Sequence, residues 1–323
     1  ASVVDDHDMK ITHVIRAEEH LSNTAVQALL FEALGATPPQ FAHIPFVAAP
    51  GTTKKLSKRD LAKYQTNPQF KKLFEAADAI LPRLGLAVSE SLNPVMVSFY
   101  ETVGFLPEGV LNALARLGWS LDDKTENMSL EFVVENFTLD RVVKGSAGFD
   151  PDKLLAYQEY GMGQRALGEK VERCLPFLQR AGWVNDPVPA ETRAFVARLI
   201  EALGERLKLF GDILRYDEYF VADDQMAYDE KAFEKRLRKP ADAADLLRKF
   251  RGQLAAASAF DAPSLDAMLH AWVASEGIEM GQIIHALRVA TTGKGVGPGM
   301  FDCLALLGRE RCLARIDRSL SRI

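Results

Sequence analysis

The chain has 323 residues, of which 48% are hydrophobic and 26% charged, and its formal net charge is −5. This length and balance are typical of a globular protein with two or more domains. No apolar run reaches the roughly 18 residues of a membrane-spanning helix, so we expect no membrane partner. Its three cysteines form no C-x-x-C pair, which argues against a zinc site or a disulfide framework and predicts a reduced, cytoplasmic location.

The first part of the chain alternates extended and helical patterns. Segments 2–5 and 11–15 are β-branched and apolar, which predicts two buried strands. A helix follows in 17–35, with Ser22 or Asn23 as its cap and Gly35 at its end. A third extended segment covers 41–51. This order is typical of the closing half of a doubly wound nucleotide-binding sheet.

Helical periodicity dominates beyond residue 60. Segments 70–86 and 105–119 predict two helices, and almost every segment from 129 to 323 is helical. The second helix has one predicted apolar face, formed by Val110, Leu111, Leu114 and Leu117. Helix caps are predicted at Ser129, Asp150 and Ser264. The predicted fold is mainly α, with a remnant of a doubly wound α/β domain followed by all-helical domains.

The segment KKLSKRD, residues 54–60, concentrates positive charge in a predicted loop. Lysine side chains beside a serine hydroxyl suit a polyphosphate, because they neutralise its oxygens and donate hydrogen bonds to them. A cationic loop that closes as charge builds on departing pyrophosphate stabilises the transition state of nucleotidyl transfer. Taken by itself, the segment is equally well explained as a surface loop that is basic by chance.

Lysine and arginine also gather at 231–239, 248–251 and 309–322. The ordinary interpretation of each cluster is a solvated helix face. The glycine-rich segment TTGKGVGPG, residues 291–299, suits a phosphate, but we favour a plain connection between helices because a single glycine-rich loop is weak evidence.

Several motifs occur in order along most of the chain. They are VVDD (3–6), ITHVIRAEEH (11–20), SNT (22–24), HIP (43–45), KLSKR (55–59), GFLPEGVLNALARLGWS (104–120), GFDPDKLLAYQEYGM (148–162) and LRVATTG (287–293) with LLGRERCLARI (306–316). In this order they resemble bacterial-type glutamyl-tRNA synthetases, the glutamate–tRNA ligases among class I aminoacyl-tRNA synthetases. The resemblance begins with the second half of that family's catalytic domain.

The resemblance implies roles for individual residues. Arg16 would contact a carboxylate of bound glutamate, which its planar guanidinium matches with two hydrogen bonds, and a structural ion pair with Glu18, Glu19 or a loop aspartate is the alternative. The residues implied in ATP binding are Glu19, Val47, Lys55, Lys58 and Arg59, and those implied in catalysis are Lys55, Ser57 and Lys58.

Structural explanations stand beside several of these roles. Glu19 is also a suitable carboxylate for a helix N-terminus, and Val47 would look the same as a buried strand residue. His20 and His43 match the family pattern, but a capping or packing role explains them at least as well. The implied substrates are glutamate, a glutamate-accepting tRNA and ATP with Mg²⁺. No metal site on the protein is expected, and the chain is expected to be a monomer.

Two features depart from the family pattern. The first half of the catalytic domain, with its H-I-G-H segment, is not found, so we expect this chain to be inactive by itself. In addition, about 30 residues between 61 and 94 are extra. The resemblance divides the chain into the end of the catalytic domain (1–65), a helical insert (66–94), a stem-contact region (95–158) and two anticodon-binding subdomains (159–226 and 227–323).

The helical tail favours the bacterial glutamyl enzymes over the glutaminyl enzymes, which have a β-barrel there. Anticodon bases are recognised by stacking and by hydrogen bonds to their edges, while cations contact the RNA backbone. Candidates for tRNA contact are Arg206, Arg215, Lys235 and Arg236. For any one of them, a solvated helix face is the stronger interpretation.

The sequence therefore predicts part of a glutamate–tRNA ligase. The enzyme would activate glutamate with ATP to glutamyl-adenylate and transfer it to tRNA. The alternative is a non-catalytic tRNA-binding module derived from the synthetase. A third hypothesis, a helical scaffold, predicts no salt-dependent tRNA binding.

Overall fold

The computed structural model describes residues 1–323, which divide into two compact units. The first unit comprises residues 1–81 and 87–164 and contains a small sheet. The second comprises residues 82–86 and 165–323 and contains only helices and loops. The predicted fold class, mainly α with a remnant of an α/β sheet, is confirmed. None of the helices has the length and apolar character needed to span a bilayer.

The sheet of the first unit has two parallel strands joined by a helix. Its elements along the chain are α1 (Ser2–Asp8), β1 (His13–Ala17), α2 (Leu21–Ala33) and β2 (Gln40–Ile44). The register pairs His13 with Gln40 and Ala17 with Ile44. Parallel neighbours require a crossover connection, and α2 provides it. The predicted strand–helix–strand order of 11–51 is confirmed.

The strand predicted at 2–5 is wrong, because this segment forms α1. Val3 is its buried residue, and Asp5 lies in the first turn, where a negative charge is favourable. Two valines followed closely by three aspartates make too short an apolar stretch for a strand.

The predicted start of α2 is also wrong. A 3₁₀ turn at Glu18–His20 leads directly into the helix, so that Ser22 and Asn23 lie inside its first turn instead of capping it. The predicted end is confirmed, since Gly35 has φ +67° and stops the helix in the left-handed conformation.

Six further helices of the first unit enclose its core. They are α3 (Leu61–Gln65), α4 (Lys71–Ile80), α5 (Val97–Val103), α6 (Pro107–Arg116), α7 (Leu130–Asn136) and α8 (Pro151–Gln164). The helix predicted over 70–86 stops at Ile80 and gives way to a 3₁₀ turn, because Pro82 lacks the N–H group that a continuing α-helix needs. The helix predicted over 105–119 is α6.

The apolar face predicted for α6 is not the face that it buries. Leu111 and Leu114 are 43% and 48% exposed, whereas Gly109, Asn112 and Ala113 are buried. The small residues pack closely on α8: a Cβ atom at Gly109 would lie 3.3 Å from a backbone carbon of that helix. Close approach of two helices thus selects the small face rather than the leucine face.

The second unit contains eight α-helices and several shorter helical turns. The α-helices are α9 (Leu167–Arg180), α10 (Ala190–Leu203), α11 (Glu230–Phe233), α12 (Ala243–Ala256), α13 (Ala262–Glu276), α14 (Met280–Thr292), α15 (Met300–Leu307) and α16 (Arg309–Leu320). A long 3₁₀ segment covers Phe210–Tyr219, and a π-helical turn covers Glu234–Arg238.

Two of the three predicted helix caps are confirmed. Ser129 accepts the N–H of Phe132 at the start of α7, and Asp150 accepts the N–H of Asp152 at the start of α8. The third is wrong, because Asp261 caps α13 by accepting the N–H of Ser264 at 3.0 Å.

Arginines of α16 bind the end of the 3₁₀ helix Phe210–Tyr219 and the segment that follows it. Arg315 is fully buried and donates to Asp223 Oδ1 at 2.7 Å, to the Thr291 carbonyl at 2.8 Å and to the Glu218 carbonyl at 2.7 Å. Arg311 also donates to Asp223, at 2.9 Å. Burial by itself would raise the pKa of Asp223, but the two guanidinium groups outweigh it and lower the pKa. The solvated face predicted for 309–322 is therefore wrong for these arginines.

Gly281, in α14, and Gly293, directly after its last residue, offer a matched test of this packing. Gly293 has φ +73°, and a Cβ atom there would lie 2.1 Å from the Ala227 carbonyl oxygen, whereas Gly281 has no atom within 4 Å of that position. We expect Gly293→Ala to lower the free energy of unfolding by about 2–4 kcal/mol, through backbone strain and this clash. Gly281→Ala should be neutral or stabilising by up to ~1 kcal/mol. Urea denaturation measures the stability of both variants. Equal denaturation midpoints for the two variants would contradict the close approach of Gly293 to Ala227.

Candidate functional site

The charged segment identified in the sequence forms one arm of a hairpin rather than a free loop. We call residues 47–57 the lysine hairpin. Its arms are joined by hydrogen bonds from the Leu56 N–H to the Val47 carbonyl and from the Ala49 N–H to the Lys54 carbonyl, both 2.8 Å. Ala48 is buried and bridges to Lys55 across the hairpin. The position of Lys55 is thus set by backbone pairing.

A 3₁₀ turn continues directly from the lysine hairpin. It covers Lys58–Asp60, and the Ser57 hydroxyl accepts the N–H of Arg59 at its start. The side chains of Lys58 and Arg59 are exposed and form no ion pair. Both cations are therefore available to an anion that approaches the hairpin.

Glu19 and Lys55, two residues predicted to bind ATP, are in contact. Lys55 Nζ lies 2.5 Å from Glu19 Oε2, and both side chains are about half exposed. The hydrogen bond and charge of Lys55 lower the pKa of Glu19. Exposed pairs of this kind contribute little to stability, so another anion can replace the carboxylate at small cost.

Arg16 lies beside this pair on β1 and makes no ion pair with Glu18 or Glu19. Its Nη2 donates to Thr24 Oγ1 and to Gln27 Oε1, both at 2.7 Å, and its guanidinium lies 5.4 Å from the centre of the Phe41 ring. Its Nε atom is buried and has no hydrogen-bond partner. Neutral partners fix the guanidinium while its charge stays uncompensated, which suits a carboxylate ligand.

Thr24 is a site residue that the sequence reasoning missed. Its hydroxyl contacts both Arg16 and His43, whose Nε2 atom lies 2.8 Å away. This contact is consistent with a packing role for His43. The SNT motif was the available signal, but nothing in it indicates contact with β2.

Val47 borders two apolar cavities in the first unit. One, of about 400 Å³, is also lined by Ala17, Leu56, Tyr100 and the Lys55 side chain. The other, of about 280 Å³, is lined by Ile15 and Trp119 among others. An apolar cavity next to cationic side chains has the composition that a nucleotide base and its phosphates require.

The residues predicted to contact tRNA lie in two places in the second unit. Arg206 is exposed, and Arg215 pairs with the buried Asp212, Nε to Oδ1, at 2.9 Å. Lys235 and Arg236 lie in the π-helical turn and form no ion pair. Burial and the charges of Arg236, Arg288 and Lys235 lower the pKa of His285. This turn therefore carries uncompensated positive charge.

The glycine-rich segment 291–299 is a connection between helices, as favoured from the sequence. Its lysine, Lys294, lies 2.5 Å from both Asp217 Oδ1 and Glu218 Oε2, and Glu218 is buried. With two carboxylates as partners, this lysine is not available to a phosphate.

Two protein-family models match these regions. The model described as the catalytic domain of class I tRNA synthetases (E and Q) matches residues 1–93, which include Arg16, Glu19 and the lysine hairpin. The model described as an anticodon binding domain matches residues 169–320, which include Arg206, Arg215 and the π-helical turn.

Curated relatives match nearly the whole chain. The glutamate–tRNA ligase of Moorella thermoacetica is 36% identical over 319 residues, and that of Desulforudis audaxviator is 35% identical over 324 residues. Over nearly its whole length the chain is therefore similar to glutamyl-tRNA synthetases. Each match covers 99% of this chain and 58% of the relative, so the chain spans little more than half the length of these synthetases and corresponds to their C-terminal part.

Solved synthetase structures have a similar fold. A glutamate–tRNA ligase from Elizabethkingia meningosepticum, crystallised with its amino acid, has a TM-score of 0.75 and 28% identity, and the match covers 99% of this chain and 59% of that chain. The glutamate–tRNA synthetase of Elizabethkingia anophelis has a TM-score of 0.72 and 29% identity.

The contact between Glu19 and Lys55 can be tested by titration. Because Lys55 lowers the pKa of Glu19, the contact contributes above the ordinary pKa of a glutamate and is lost as pH falls through the lowered value. We expect Lys55→Met to raise the pKa of Glu19 towards its ordinary value, measured by NMR of the side-chain carboxyl carbon. Lys71→Met removes the same charge from α4, where its partner is Glu75, and should leave Glu19 unchanged. An unaltered Glu19 titration in Lys55→Met would show that the pair does not form.

Proposed function

We propose that this chain is part of a glutamate–tRNA ligase and carries the phosphate-binding half of its catalytic site together with its anticodon-binding region. The observation that carries the proposal is the lysine hairpin. Its Lys55 contacts Glu19, the turn that follows it carries the unpaired Lys58, and these residues and Arg16 lie in a segment that matches the catalytic family model. The cytoplasmic location, the monomeric state and the five-part domain division stay predictions.

In the first step, a carboxylate oxygen of glutamate attacks the α-phosphorus of ATP, and the bond to the bridging oxygen breaks as pyrophosphate leaves. Arg16 binds the amino acid, while Glu19 and Val47 border the nucleotide. Lys55, Lys58 and Arg59 contact the phosphates, and Ser57 orients the turn that carries two of them. ATP is proposed to enter as its Mg²⁺ complex.

In the second step, a hydroxyl of the terminal ribose of tRNA attacks the adenylate carbonyl, and AMP leaves. A glutamate carboxylate is a poor electrophile until AMP is attached, which explains the need for ATP. The cations stabilise charge that grows only during the first step, so they act on the transition state more than on bound ATP.

Replacing Lys58 tests the catalytic proposal. In the intact protein encoded by the gene, we expect Lys58→Met to slow ATP–pyrophosphate exchange, measured with glutamate and tRNA, by about 100-fold, the usual effect of removing one transition-state donor. Lys71→Met, the same change at an exposed position on α4, should stay within about threefold of the unaltered enzyme. Normal exchange with Lys58→Met would refute the assigned site.

A non-catalytic tRNA-binding module is the second candidate. The match of the second unit to the anticodon binding model favours it. Exchange catalysed by this chain itself would reject this candidate. Exchange by the intact protein and not by this chain would leave the ligase proposal in place.

Both candidates require tRNA binding by the second unit. We expect binding to weaken with salt, and the Lys235→Ala/Arg236→Ala double variant to reduce the slope of log K against log salt by about 1.4 to 1.8, since each phosphate contact contributes about 0.7–0.9. The matched control is Arg248→Ala/Lys249→Ala, whose cations already pair with Asp245 and Glu276. Filter binding of a glutamate tRNA at several salt concentrations provides the slopes. Equal slopes for the two double variants would show that the RNA contacts other residues. An absence of salt dependence would favour the hypothesis of a helical scaffold.

A further inference from the structure

The segment that follows the lysine hairpin contacts it through a buried tyrosine. Tyr64 lies on α3 and is 5% exposed, and its hydroxyl oxygen accepts the backbone N–H of Ser57 at 2.9 Å. The Tyr64 hydroxyl is thus the hydrogen-bond partner of the Ser57 N–H. Ser57 is also the residue whose side chain caps the turn carrying Lys58 and Arg59.

An aromatic cluster fixes the tyrosine ring. The ring centres of Tyr64 and Phe70 are 5.0 Å apart, and those of Phe70 and Phe149 are 6.0 Å apart. Phe70 is fully buried. Pairs at these distances and tilts are favourable and stiff, so the hydroxyl is held at a defined place.

The same cluster holds the other arm of the lysine hairpin. The Phe149 N–H donates to the Ala48 carbonyl at 2.9 Å, while Phe149 contacts Phe70 with its ring. One arm is therefore tied to the cluster through Ala48 and the other through Ser57. Neither tie involves the side chains of Lys55 and Lys58, which are exposed.

We propose that Tyr64 is a positioning residue for the phosphate-binding lysines, acting through the backbone of Ser57. This inference rests on the proposed function. It gives the segment after residue 60 a role in catalysis, because Tyr64 in that segment fixes the start of the turn that carries Lys58. Without the hydroxyl, the Ser57 N–H loses its partner and the turn can shift against the hairpin.

Tyr64→Phe removes the hydroxyl and keeps the ring in the cluster. In this chain, we expect the hydrogen-exchange rate of the Ser57 amide to rise at least about fivefold, the change that corresponds to one ordinary hydrogen bond, while amides of α5 and α8 keep their rates. The matched control is Tyr160→Phe, which removes a hydroxyl from an exposed tyrosine of α8 and should leave Ser57 unchanged. Exchange raised throughout the unit would show that Tyr64 acts on general stability, and an unchanged Ser57 rate would show that the bond does not hold the turn; either result overturns the proposal.

The functional consequence is measured on the intact protein. We expect Tyr64→Phe to lower kcat for ATP–pyrophosphate exchange about fivefold and to leave the KM for glutamate unchanged, because the surroundings of Arg16 are untouched. Faster Ser57 exchange with normal kcat would overturn the positioning role. If the unaltered intact protein makes no adenylate, the proposed function fails, and the amide measurement still decides whether Tyr64 anchors the hairpin.

Discussion

The candidate site depends on the backbone of one small buried residue, Ala48. Its N–H donates to the Ala147 carbonyl and its carbonyl accepts the Phe149 N–H, both at 2.9 Å, while it also bridges to Lys55 across the hairpin. Because Ala48 is buried, its N–H and carbonyl groups would lose their hydrogen bonds in any other arrangement, and such a loss is costly. The position of Lys55 is consequently set by the segment that precedes α8, which is distant from Lys55 in sequence. The contact between Lys55 and Glu19 follows from that position.

Short-range patterns were enough to predict the parts of the fold that they control. The crossover from β1 to β2 and the left-handed stop at Gly35 follow from local spacing and from the conformational freedom of glycine. The start of the chain shows the limit of such patterns: two valines predict a strand, yet a strand needs a neighbour to pair with, and no pattern within 2–5 says whether one exists.

Long-range contacts explain why other predictions failed. Arg311, Arg315 and Arg318 recur at helical spacing, so their common face was visible, but their partners lie about 90 residues earlier, around Asp223, and a sequence does not show which face meets them. The same holds within the candidate site. The motif residues Arg16 and Lys55 were predicted from the resemblance, whereas Thr24 and Tyr64, which orient the groups around them, enter only through contacts in the folded chain.

Whether a lysine of this chain can bind a polyanion depends more on its existing ion pairs than on its position in a basic or glycine-rich segment. Lys294 is held by two carboxylates, one of them on the buried Glu218, and removing it would leave a buried charge without a partner, which is costly. Lys55 has one half-exposed carboxylate partner, and exposed pairs of this kind contribute little to stability, so a phosphate can take the place of Glu19 at little cost. Lys58 has no partner to give up. The hairpin thus combines a backbone fixed by buried hydrogen bonds with side chains that are weakly held, and the proposed binding and release of pyrophosphate requires both properties.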